Sequence, residues 1–270
     1  MKLIHKIGGK LYVNPDGLEW QRSKWIKPIQ VYLKYSEKKM AEKADLIISD
    51  NQGIEDYLKA EYDYVVSKVI AYGTNDVLMV PGIAQPWLDK YGIQVGAYYL
   101  VVGRFVPENN YEAIIRNFMV SSTEHDLVII TNHLGDPYFE KLRQLTNFDQ
   151  DKRIKFVGTV YDKEQLTAIR KHAFAYIHGH AVGGTNPGLL EAMSTTDLNL
   201  VFDVSFNQNV ALDSALFWQL GTLTEVMSQA ENLDSKAVVM LAQKAREIIA
   251  EKYTWGKIVG QYEELFLNES

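Results

Sequence analysis

The sequence predicts an α/β protein built on parallel sheet. From Tyr98 onward, mainly apolar runs (Tyr98 to Val102, Asp126 to Thr131, Arg153 to Val157, Ala173 to Ile177, Leu198 to Phe202) alternate with helical segments. Strands apolar on both faces belong in a parallel sheet covered by helices on each side. The stretch from Tyr176 to Met193 takes one such strand into a loop with adjacent glycines, Gly183 and Gly184, and then into a helix opened by Asn186 and Pro187. At 270 residues, 47% apolar and 23% charged, the chain has room for one large or two modest domains with real cores.

Residues 11 to 14 read as a short strand ending in the turn signal Asn14-Pro15-Asp16-Gly17. From Glu19 to Lys43 the pattern is helical, interrupted at Pro28. Asp45 to Ser49 is a buried-type strand, and Ser49 or Asp50 suits the cap of a helix through about Tyr62. Val65 to Ala71 is the next strand, closed by Tyr72-Gly73-Thr74-Asn75. Residues 74 to 97 hold Pro81, Gly82, Pro86, Gly92 and Gly96, with room for a short helix near Trp87, so a domain boundary is expected there. The regular series follows, with helices Asn110 to Met119, Pro137 to Thr146 and Lys163 to His172 between its strands. Helices Leu223 to Glu231, Ser235 to Lys252 and Trp255 to Leu267 fill the end.

The absence of cysteine excludes disulfides, thiolate metal sites and cysteine nucleophiles. No apolar run approaches ~20 residues, and the start lacks the apolar core of a signal peptide. Charge is uneven. The first 43 residues hold ten Lys and Arg against four Asp and Glu, a surplus of six; with −6 overall, the rest carries −12. This basic segment contains Trp20, Trp25, Tyr32 and Tyr35. It reads either as a solvated helix face with inward aromatics or as a surface for an anionic membrane, where each basic residue contributes ~1 kcal/mol.

Asn is a preferred N-cap and Pro a preferred first helical residue, so the helix start at Asn186 is well marked. The amides at Gly188 and Leu189 behind it are answered by the cap or by an anion, because a helix N-terminus after a glycine loop favours negative charge. Glu191, a turn further in, is placed to face the same ligand. In open parallel sheets ligands sit beyond the strands' carboxyl ends. Those ends supply Gly103-Arg104, Thr131-Asn132, Gly158-Thr159, His178 to Asn186, and Asp203, a set suited to phosphates and hydroxyls. Arg104 is placed to clasp a phosphate in bidentate fashion. His178 and His180 read as hydrogen-bonding groups rather than metal ligands, and Asp203 and Asn207 as residues that shape the sheet end.

Val102-Gly103-Arg104-Phe105, the loop ending Leu189-Leu190-Glu191-Ala192-Met193 and the terminal stretch 253 to 266 resemble the nucleotide-sugar half of GT-B glycosyltransferases of family 4. Asn14 to Trp20, with Arg22, Lys24 and Trp25, and His178-Gly179-His180 before Val182-Gly183-Gly184-Thr185-Asn186-Pro187 resemble the bacterial polysaccharide rhamnosyltransferase branch. The resemblance covers essentially the whole chain. It implies a partial acceptor-side domain over residues 1-78, a nucleotide-sugar domain over 79-252, and a C-terminal helix over 253-270 packing back toward the N-terminal part.

The resemblance also implies site roles. Arg104 binds the donor diphosphate; Gly183, Gly184, Thr185 and Asn186 form the phosphate loop; Glu191 meets the nucleoside sugar, at its 3′-hydroxyl alone if the donor is dTDP-L-rhamnose. His180 and position 181 fall at the reaction centre, and Asp16 and Glu19 on the acceptor side. The implied activity is transfer of a sugar, foremost rhamnose from dTDP-L-rhamnose, to a lipid-linked saccharide in capsule or cell-wall synthesis. It retains anomeric configuration and needs no metal or cofactor. The expected location is the cytoplasm, peripheral at the inner face of the membrane.

Three departures stand out. The family's second phosphate-binding Lys falls at Pro107-Glu108-Asn109-Asn110, where there is none. Ala181 stands where related enzymes are expected to carry a Glu, and nine residues separate it from Glu191, more than is usual. The acceptor domain has about half the usual βα units, so a second copy, another chain or a local rearrangement is expected to cover its open faces. A non-catalytic donor-binding or assembly partner derived from such an enzyme is the alternative reading.

Overall fold

The computed structural model describes residues 2–15, 17–22, 24–63, 65–75 and 80–267. The chain opens with α1 (Lys2–Lys6), β1 (Tyr12–Val13), a 3-10 turn (Glu19–Gln21), α2 (Lys27–Ala41), β2 (Leu46–Ser49), α3 (Gln52–Glu61) and β3 (Ser67–Val69). These three strands form a parallel sheet in the order β1-β2-β3. The four residues of β2 are all buried and alternate between faces. Ile47 packs with Ile54 and Leu58 of α3. Leu46 and Ile48 pack with Ile70 and with Ile258 and Leu265 from the last helix.

Pro28 does not interrupt α2. It occupies the first turn, where a missing N–H costs no hydrogen bond, and the helix runs unbroken to Ala41. The cap of α3 is Asn51, not Ser49 or Asp50: its side chain accepts from the Gly53 N–H at 2.7 Å.

A short helix, α4 (Gln85–Tyr91), leads to the larger sheet. Its elements in chain order are β4 (Tyr98–Val102), α5 (Tyr111–Val120), β5 (Asp126–Ile130), α6 (Pro137–Thr146), β6 (Ile154–Phe156), α7 (Lys163–His172), β7 (Ala175–His178), α8 (Pro187–Thr195), β8 (Asn199–Phe202), α9 (Ser205–Ala211), β9 (Leu216–Trp218), α10 (Leu223–Glu231), α11 (Ser235–Lys252) and α12 (Trp255–Leu267). All six strands are parallel, in the order β6-β5-β4-β7-β8-β9. The sheet grows outward in one direction from β4 and in the other from β7, so the crevice between these two strand ends is the topological switch point.

Strand alternation explains why the strands read as continuously apolar. Tyr99, Val101, Leu127, Ile129 and Ile177 enter one core with α5 and α10, whereas Tyr98, Leu100, Val128, Ile130 and Tyr176 enter a second with α4 and α7. Three elements lacked a readable signal, α1, α9 and β9. Each is short, and Phe206 of α9 and Trp218 of β9 are buried by contacts distant in sequence. After α11 the chain returns to the first sheet. The Thr74 N–H donates to the Tyr253 carbonyl at 2.7 Å, and α12 lays Ile258 and Leu265 on the first sheet.

Candidate nucleotide-sugar site

The loop from His178 to Asn186 leaves β7 beside the end of β4, which brings it against Gly103-Arg104. Two glycines, Gly103 beside the loop and Gly179 within it, permit the close packing. A Cβ on Gly103 would lie 3.2 Å from the His180 ring, and one on Gly179 would lie 2.3 Å from the Asn109 carbonyl oxygen. The turn from Pro107 to Asn110, which has no Lys to bind phosphate, braces the loop instead. The Asn110 side chain donates to the Gly179 carbonyl at 2.9 Å, the Asn109 side chain to the Arg104 carbonyl at 2.7 Å, and the Ala181 N–H to the Glu108 carbonyl at 2.9 Å. From β8 and α9, the Asn207 side chain donates to the carbonyls of His180 at 3.0 Å and Phe202 at 2.9 Å. These bonds answer loop groups that would otherwise be buried unpaired.

His178 and His180 stack, with ring centroids 4.4 Å apart and planes at 11°. Burial pushes the His180 imidazole down to about 4, and the charges of Arg104 and Arg22 add to the effect. Burial, with His180 beside it, holds His178 well below the usual imidazole range. Both rings are therefore neutral at pH 7, and Nδ1 of His180 has no hydrogen-bond partner among the described residues.

A cavity of about 110 Å³ opens in front of the loop, lined by Arg104, His180, Gly183, Gly184, Thr185 and Asn186 of the second unit and by Arg22, Asp50 and Tyr72 of the first. The first unit touches the loop directly. Gly17, at φ +71°, sits so close that a Cβ there would be 3.1 Å from the Gly183 Cα. The Asp50 carboxylate packs on Gly184 and accepts the Thr185 N–H at 3.1 Å, while the Asp50 carbonyl accepts the Thr185 hydroxyl. The Asn51 side chain reaches Thr185 Oγ1 at 3.4 Å and the Phe206 carbonyl at 3.1 Å.

Asn186 caps α8 as its sequence context predicts, accepting the Gly188 N–H at 2.8 Å, and the Leu189 N–H bonds the Asn186 carbonyl at 3.0 Å. Those two amides are satisfied within the chain. Glu191 does not line the loop cavity. It pairs with Arg170 at 2.7 Å and lines an adjoining cavity of about 230 Å³ with Lys163, Thr167, Arg170 and Trp255. Tyr72 and Pro187 line both cavities, so an elongated ligand can occupy the two in succession.

On the acceptor side, Asp16 lies outside the described residues. Burial alone would raise the Glu19 carboxyl, but hydrogen bonds from Lys24 and Trp25 and the nearby Arg22 outweigh it and hold the group below its usual range. The Glu19–Lys24 pair is 2.6 Å long, and Glu19 also pairs with Arg22.

Arg22 as a cavity residue, Asp50, and Arg170 behind Glu191 were not singled out as site residues from sequence. The one usable signal was the polar run Ser49-Asp50-Asn51 at a strand end. Among the described residues no group of three or more His, Asp and Glu clusters as for a metal, and no helix is long and apolar enough to cross a membrane.

Superposition on solved structures decides the architecture. Sucrose-phosphate synthase from Thermosynechococcus elongatus matches with a TM-score of 0.81 at 18% identity, over 99% of this chain and 69% of that one. The Anabaena protein Alr3699/HepE in complex with UDP matches with a TM-score of 0.80 at 15% identity, over 98% and 74%. Its complex with UDP-glucose gives 0.78 at 15%, over 97% and 73%. The fold is GT-B. Residues 1–75 match a family model described as a domain of unknown function, DUF1972. Compared by sequence with curated proteins, the chain matches none. In GT-B terms, the crevice at the β4–β7 switch point is where the two Rossmann-like units face each other, and Arg104 and the glycine loop lie on its floor.

Proposed function

We propose that the chain is a glycosyltransferase that binds a nucleotide-sugar across the two adjoining cavities, most specifically dTDP-L-rhamnose. One observation carries the proposal: Arg104 and Arg22, from different units, face one cavity with the Gly183-Gly184 loop, and it adjoins a second that holds Glu191. Two guanidinium groups and a glycine loop provide for a diphosphate. Glu191, fixed by Arg170, provides for a hydroxyl of the nucleoside sugar. HepE crystallised with UDP and with UDP-glucose supports a nucleotide-sugar as the ligand class.

In the reaction the bond from the sugar's anomeric carbon to the β-phosphate oxygen breaks, and a bond to an acceptor hydroxyl forms on the same face. The acceptor proton passes to the departing phosphate, so no protein carboxylate has to act as nucleophile. Arg104 and Arg22 stabilise the charge that develops on the diphosphate. The proposed acceptor is a lipid-linked saccharide at the inner membrane face. Exposed Val31, Tyr32 and Tyr35 on α2, with Lys27 and Lys38, favour contact with an anionic bilayer.

Calorimetric titration with dTDP-L-rhamnose and UDP-glucose tests the proposal, with Arg104→Ala expected to weaken both by about 10- to 100-fold. Absence of binding to either sugar nucleotide refutes it. Ala181 favours a second reading, a donor-binding partner without turnover. Transfer of radiolabelled sugar to lipid-linked acceptor by the unaltered chain excludes that reading; binding without transfer, persisting in Ala181→Glu, establishes it.

A further inference from the structure

The loop cavity contains a group that a pure anion site would not. Among its described lining residues Asp50 is the only carboxylate, and it faces the loop from the opposite unit. It is 3% exposed. A Cβ on Gly184 would lie 2.1 and 2.5 Å from its two oxygens, so the glycine is what admits the carboxylate to the loop surface. The Thr185 N–H at 3.1 Å, the bond between the Thr185 hydroxyl and the Asp50 carbonyl, and the Asn51 bonds to Thr185 and Phe206 fix its position.

The cavity's donors and acceptors are unbalanced. The Arg22 and Arg104 side chains are donors and suit phosphate oxygens. A sugar attached to that diphosphate brings hydroxyl groups, which need strong acceptors where water is excluded. The loop offers none at position 181, since Ala181 has no polar side chain. Placed among arginines, a carboxylate weakens the cavity's attraction for phosphate, so beyond its bond to the Thr185 N–H it suits the neutral, hydroxyl-bearing part of the ligand.

We infer that Asp50 is the residue that accepts hydrogen bonds from the hydroxyls of the transferred sugar, supplying from the first unit the carboxylate that position 181 lacks. This rests on the nucleotide-sugar reading above. It makes sugar recognition depend on closure of the two units, because Asp50 belongs to the first unit and Arg104 with the Gly183-Gly184 loop to the second.

The test is isothermal titration of the full chain with UDP, UDP-glucose, dTDP and dTDP-L-rhamnose, comparing the unaltered protein with Asp50→Asn. Asn is isosteric and keeps an oxygen for the Thr185 N–H. The expected result is nucleoside diphosphate affinity within about threefold of the unaltered chain, with nucleotide-sugar affinity lowered at least about tenfold. Retained nucleoside diphosphate binding doubles as proof that the variant is folded. An unchanged ratio of sugar-nucleotide to nucleotide affinity overturns the inference. So does tighter binding of plain UDP and dTDP with no sugar-specific loss, which makes Asp50 a competing internal anion. Asn51→Ser keeps a helix cap but removes the bonds to Thr185 and Phe206. If it lowers all affinities alike, the sugar-specific role of Asp50 stands, and if it reproduces the sugar-specific loss, the Asp50 effect is structural and the inference falls. If the unaltered chain binds the nucleoside diphosphates but neither sugar nucleotide better than Asp50→Asn does, only this inference fails; if it binds no nucleotide, both fail.

Discussion

Gly179→Ala isolates the packing that holds the loop over β4. The added methyl would stand 2.3 Å from the Asn109 carbonyl oxygen and 2.9 Å from Ile114 Cδ1. That is about 1 Å inside ordinary contact, and the closer atom is backbone, which cannot swing aside. Ile114 is itself fully buried. Gly179 does not have a positive φ, so the whole effect is steric and no backbone strain contributes. Overpacking a site of this kind costs about 1–3 kcal/mol. Separating the turn from the loop also strains the Asn110–Gly179 and Ala181–Glu108 hydrogen bonds, about 1 kcal/mol each. The sum is about 3–5 kcal/mol. With an unfolding entropy of about 2.1 cal/mol/K per residue over 270 residues, the melting temperature should fall by about 5–9 °C. Differential scanning calorimetry measures this directly, and nucleotide affinity should fall in parallel because His180 moves with the loop. A shift below about 1 °C would mean that the turn and loop separate freely, and the reasoning that they brace each other would be wrong.

Other perturbations probe separate parts of the molecule. Because burial and two arginines hold His180 at about 4, below the unfolded imidazole, the unfolded chain binds more protons between that value and about 6.5. Stability should therefore fall as pH drops through this window, by on the order of 3 kcal/mol from His180, with His178 acting in the same direction; urea unfolding at pH 7 and pH 5 checks the sign, and His180→Asn should flatten the slope. Ile258→Ala empties a position 2% exposed between α12 and the first sheet, and urea titration should show a loss of about 2–4 kcal/mol. Glu191→Gln removes the anion opposite Arg170, whose side chain is 4% exposed. Since Glu191 is half exposed, the stability loss should be about 1–2 kcal/mol by thermal melting, whereas Arg170→Met in the same background should recover part of it.

The large sheet was legible because its strands are buried on both faces, so each strand could be read from its own residues. Tyr98 to Val102 is apolar at every position because neighbouring side chains enter opposite cores. The start of α8 was equally legible, since a cap is a local device and Asn186-Pro187 states it within two residues. Pro28 was misread because proline in a first turn and proline in a helix interior look alike until the helix start is fixed. The cap of α3 was misplaced among three consecutive polar residues, each able to cap, and only the backbone path selected Asn51. With Asn51 as the cap, the Asp50 carboxylate accepts the Thr185 N–H, 135 residues away in the chain.

The components of the candidate site divide along the same line. Arg104 and Gly183-Gly184 follow strands that could be read from their own residues, so both could be singled out as strand-end groups, whereas their meeting at the switch point rests on the pairing of β4 with β7. Arg22, after the 3-10 turn, and Asp50, after β2, come from the first unit, and nothing local in their sequence says which loop they will face. The position of Asp50 depends on α12, which follows Tyr253 and Thr254 and buries Ile258 and Leu265 against β2, the strand that Asp50 follows. The last helix therefore does more than cover an apolar face. It sets the height of the β2 end above the glycine loop, so weakening its packing should disturb sugar recognition before it disturbs diphosphate binding. In Ile258→Ala, the affinity for a nucleotide-sugar should drop further than that for the matching nucleoside diphosphate. Equal losses would show that the two units keep their registry without α12.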